Sequence, residues 1–158
     1  MKKILSTILL GIALFVSGCA SLKLEPADFS WFAEEILDVD ASGMVSARQF
    51  SVAFNVKTLL AKEFATDSMD AKNTKEVRLI RDKAGFYYIV AKKFKNVYVF
   101  ASSDASLKLE NTFVLSQTEM KDPKFNYNTK TKTYELWNDN DKYTLSKTGA
   151  VPIQGGVK

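Results

Sequence analysis

The feature that most limits what this chain can fold into is a two-residue rhythm of apolar side chains, repeated in short runs. Phe50, Val52, Phe54 and Val56 alternate with Ser51, Ala53, Asn55 and Lys57. Leu107, Leu109, Phe113 and Leu115 alternate with Lys108, Glu110, Thr112 and Ser116, interrupted at Asn111. Successive side chains of a strand point to opposite faces, so each run predicts a strand with one face in a core. Similar runs cover 76–82, 86–92, 96–102, 125–128, 133–138 and 142–147. Between them lie turn residues: Asp82 and Gly85 bracket one turn, and 128–132 and 138–142 are rich in Asn and Asp. Runs about ten residues apart with short loops predict a mostly β fold. The expected form is one antiparallel meander sheet of about seven to nine strands, curled into a partial or closed barrel, with one or two short helices.

Two runs, 86–91 and 97–101, are apolar on both faces. They predict a central hairpin over 86–101, either covered on both sides or with one face an aromatic surface, and with Tyr88, Val90, Val99 and Phe100 buried. The best helix is 58–65, carrying Leu59, Leu60 and Phe64; it is too short to stand without tertiary support. A second candidate spans 29–37. The hexapeptide Ala20-Ser-Leu-Lys-Leu-Glu25 recurs as Ala105-Ser-Leu-Lys-Leu-Glu110, but the flanks differ and no sustained period follows.

Residues 1–18 read as a leader. Lys2 and Lys3 precede an apolar stretch from Ile4 to Val16. That stretch is roughly 20 Å long as a helix, short of a bilayer core of about 30 Å. Val16-Ser17-Gly18-Cys19 then resembles the lipobox of bacterial lipoproteins, matching an aliphatic residue, two small residues and cysteine. The resemblance implies a diacylglyceryl thioether on Cys19, cleavage before it and N-acylation of the new terminus. It also accounts for an exported chain with a single thiol. Acyl chains of that number give stable anchoring. Residue 20 is alanine rather than aspartate, which implies the outer membrane if the organism is Gram-negative. The expected organisation is leader 1–18, lipidated tether 19–28, a single β-rich domain 29–148 and a flexible tail 149–158.

The chemistry available is narrow. There is no histidine, which excludes Ser-His-Asp and Cys-His catalysis and any His-ligated metal. The net charge is +4, but loss of Lys2 and Lys3 leaves 20 basic residues against 18 acidic. That balance lacks the basic footprint of a nucleic-acid binder. From Asp38 to Gln49 the chain resembles an EF-hand calcium loop. Asp38, Asp40 and Ser42 stand at alternate ligand positions, Gly43 at the sharp turn and Val45 at the aliphatic position. Its closing glutamate is replaced by Gln49, so weak or absent calcium binding is expected. The competing reading is a β-hairpin turning at Asp40-Ala-Ser-Gly43, because the run after it has period two.

Lys92-Lys93-Phe94-Lys95 reads as a solvated hairpin tip, with an anionic-headgroup contact as the alternative. Tyr87, Tyr88, Tyr98, Tyr127, Tyr134, Tyr143 and Trp137 suit a β core. The pairs Glu34-Glu35 and Asp139/Asp141 lack an apolar setting that would raise a carboxyl pKa. No catalytic residue, cofactor or metal site is therefore assigned. The expected function is that of a lipid-anchored cell-envelope protein, not an enzyme, whose β domain has a structural or binding role. Its partners would be the membrane, and an envelope protein or an apolar ligand. The alternatives are a small β-barrel carrier of an apolar ligand and a weak calcium-loop module at Asp38–Gln49.

Overall fold

The structure, a computed structural model, describes residues 33–64, 68–104 and 106–153. The leader, the lipobox with Cys19, the tether and residues 29–32 lie outside the described residues.

The alternating segments form strands, in three antiparallel sheets. The largest takes β1 (Glu35–Asp38), β4 (Glu76–Arg81), β5 (Tyr87–Val90), β6 (Asn96–Ser103) and β7 (Ser106–Val114), in that spatial order. A second runs β8 (Pro123–Asn128), β9 (Thr133–Asn138), β10 (Asp141–Ser146) and β11 (Gly149–Pro152) as an up-and-down meander. A third is the hairpin of β2 (Met44–Ala47) and β3 (Val52–Asn55). Two short helices, α1 (Lys57–Glu63) and α2 (Met69–Asn73), link the hairpin to β4.

The expectation of one sheet curled into a barrel is corrected: none of these sheets closes. The reason lies between β7 and β8. There Met120 is fully buried, its N–H bonds the Phe94 carbonyl (2.9 Å), and its carbonyl accepts from Lys93 N (2.7 Å). The chain is thus pinned across the β5–β6 turn, and β8 starts a second layer instead of extending the ladder of β7.

Of the two arrangements open to the doubly apolar hairpin, the structure has cover on both faces. Leu79, Ile89 and Tyr98 stand in register on one face, and Ile80, Tyr88 and Val99 on the other; all six are buried. The β2–β3 hairpin and α1 cover the first face. There Phe50 meets Tyr87 edge-on at 5.8 Å, and the Tyr98 hydroxyl donates to Glu63 (2.7 Å). The meander sheet covers the second. Glu34 pairs with Arg78 of β4 while accepting from Phe125 N of β8, and the Asn111 amide donates to the Lys147 carbonyl.

Three further expectations change. The 29–37 helix does not extend to its C-terminal part, where β1 pairs with β4. The tail at 149–158 begins instead with β11, which pairs with β10 and is prolonged by a bond from Ile153 N to the Lys142 carbonyl. Phe94 is fully buried against Phe64 and Tyr98, so the Lys92–Lys95 tip is not simply solvated. The 58–65 helix does form, as α1. It has no side-chain cap, so the burial of Leu59 and Leu60 holds it in place.

Candidate ligand groove

A β-bulge shapes the clearest cavity. Across β6 and β7, Val99 pairs with Asn111 but Phe100 pairs with Leu109, leaving Glu110 as the extra residue. The insertion rotates β7 by half a period. Leu107 and Leu109 therefore share the face of Phe100 and Ile89, whereas Asn111 and Phe113 turn to the meander sheet with Val99 and Val97. Unbroken alternation would have put all four on one side.

Leu107, Leu109, Phe100 and Ile89 form one wall of an open groove of about 820 Å3; Phe54 of β3 and Leu59 of α1 are on the other. Lys62, Asp104, Ser102, Ser103 and Ser106 also line it. An apolar interior with a few polar groups is the usual make-up of a small-molecule site, and the volume lies within the usual range of about 300–1,000 Å3. Phe100, expected in the core with Tyr88, Val90 and Val99, is only half-buried because it faces this groove.

The calcium-loop reading is overturned by what replaces the exiting helix. Met44–Ala47 is strand β2, paired with β3, and Asp38 closes strand β1 opposite Glu76. The turn at Asp40–Gly43 is present, closed by Gly43 N to the Asp40 carbonyl (2.9 Å). Asp40 Oδ1 accepts from Ser42 N (2.8 Å), Ser42 Oγ (2.7 Å) and Met44 N (2.9 Å). Led by the Ser42 hydroxyl, these bonds hold its carboxyl below the ordinary range. Val45 is buried in the core and Gln49 lies in the β2–β3 loop. The hairpin reading is also refined, since β1 ladders with β4 and β2 with β3.

One charged side chain escaped the sequence reading. Glu135 is only 4% exposed in the middle of β9. Burial pushes its carboxyl up, but donors on Asn128, Trp137 and Asn126 outweigh this and hold it below the ordinary value. A carboxylate kept ionised by three donors is a structural acceptor, not a general acid. The signal was available in the register: Asn126 stands directly opposite Glu135. Glu34 and Glu35, noted for their adjacency, do not form a dyad. Glu34 bridges Arg78 and Phe125, and Glu35 accepts from Arg48 N. Tyr98 is raised well above the ordinary phenol value by burial and then by the Glu63 bond, so it stays a neutral donor at the back of α1.

Compared with protein-family models, curated proteins and solved structures, the chain matches none.

Proposed function

We propose that this is a lipid-anchored binding module of the cell envelope, non-catalytic, which seats a small apolar ligand in the groove between β3, α1 and β5–β7. Residues 1–18 direct export, and acylation of Cys19 tethers the β domain to the membrane, the outer one in a Gram-negative cell. The observation that carries the binding role is the groove itself. It leaves Phe100, Leu107 and Leu109 half-buried where a domain of purely structural role would fill the space. Apolar surface left in water costs about 25 cal/mol per Å2, so an occupant that covers it is stabilised by the same term.

Two measurements test the reading. An apolar fluorescent dye should bind the parent chain, and Phe100→Ala should change its affinity while leaving most of the stability in place. No dye binding by the parent, with a large loss of stability in the variant, would instead favour a filled structural module. Separately, Cys19→Ser removes the sulfur that takes the lipid. The variant should lose palmitate labelling and persist as an uncleaved precursor; labelling at the parental level would refute the anchor.

A further inference from the structure

We propose that a second cavity, on the other flank of α1, is a site for a phosphate-bearing ligand with an apolar body. This cleft of about 710 Å3 lies between the Asp40–Gly43 turn, α1 and α2. Lys57 at the start of α1, Lys72 of α2 and Lys75 just before β4 all line it. The ion pairs among the described residues are made by Arg78, Lys93, Lys121 and Lys124, so none of these three lysines is neutralised there. The carboxylate of α2, Asp70, is paired with Lys93. The single carboxylate in the lining, Asp40, is bonded within its own turn.

Three positive charges to one negative is a lining suited to an anion of more than one charge. Lysine serves phosphate as a mobile point charge. The site is also built. Gly43 has φ +79°, and a Cβ placed there would fall 2.6 Å from Lys57 Cγ. The lysine stem thus lies against the bare backbone of the turn, while its N–H is fixed on Asn55 Oδ1 (2.9 Å). The rest of the lining includes Val39, Ala41, Ala61 and Ala71 beside Thr58 and Thr74, and a bare inorganic ion would leave its apolar part uncovered. This composition calls for a phosphate joined to an apolar body, either a soluble phosphate ester or a phospholipid headgroup with part of its chain. The inference does not depend on the groove.

The test is hydrogen exchange on the full chain in dodecyl maltoside micelles, read over residues 57–63 and 69–75. In one arm inorganic phosphate replaces chloride at constant ionic strength. In the other, phosphatidylglycerol is added to the micelles without free phosphate. Exchange over both segments should slow in at least one arm. A response to inorganic phosphate points to a soluble ligand, and a response to the lipid alone points to a headgroup. The triple variant K57A/K72A/K75A should lose the response while exchange in β5 stays parental, which shows that the fold is intact. K92A/K108A/K130A removes the same charge elsewhere and should keep it. No slowing in either arm, or a response that survives in the first variant or vanishes in both, would overturn the proposal.

Discussion

The two faces of the five-stranded sheet begin from equal material and end differently. Leu79, Ile89 and Tyr98 are as apolar and as deeply buried as Ile80, Tyr88 and Val99 on the reverse. The reverse face is covered by four strands and stitched to them by Glu34 and Asn111. The obverse is covered by a two-stranded hairpin and a helix of 7 residues. That cover ends before the outer part of β6 and β7, and the groove is what remains. A row of apolar residues therefore demands cover, but the size of the covering element decides whether the result is a core or a site.

The comparison breaks most sharply at Tyr88. Its ring is fully buried on the covered face, with its hydroxyl on Asp82 (2.9 Å). Tyr88→Ala should cost about 3–5 kcal/mol in urea unfolding. Next comes Glu135 in the covering sheet. Glu135→Ala leaves the amides of Asn126 and Asn128 and the Trp137 N–H without their acceptor, at a cost of about 2–3 kcal/mol. Because the fold lowers this carboxyl, its contribution is complete above the ordinary value of 4.5 and is lost as pH falls through the folded value. Glu135→Gln should flatten that acid-side slope in a pH series of unfolding midpoints; an unchanged slope would assign it to other carboxylates. The smallest effect is expected on the open face. Phe100→Ala truncates a half-buried ring and should cost about 1–2 kcal/mol, because fewer packing contacts are lost. A cost equal to that of Tyr88→Ala would mean that the two faces are filled alike.

Much of this was legible in the residues. The period-two runs located most of the strands, and the two doubly apolar runs located the centre of the large sheet. Leu59 and Leu60 located the helix. What escaped was relational. Period two says that a segment is a strand but not which strand it joins, so the layer change at Met120 read as a continuing meander. The bulge at Glu110 showed only as an interruption at Asn111, and its effect on which face Leu109 takes depends on pairing with Phe100. Glu135 drew no reading at all, because an isolated charge in a strand usually faces solvent. Its burial depends on Asn126 and Asn128 across the ladder and on Trp137 two residues along its own strand. Phe94 was hidden by the lysines on either side of it.

The carboxylate of Glu34 has a mechanical consequence. It stands one residue ahead of β1, which among the described residues is an edge strand of 4 residues held by a single ladder to β4. A strand placed like that would peel away under tension, one pair at a time. A load that reaches Glu34 along the chain is met there before it passes to β1. One oxygen of Glu34 is held by Arg78 of the large sheet (2.8 Å) and the other by the Phe125 N–H of the meander (2.7 Å). The pull is therefore shared between both layers before β1 bears any of it.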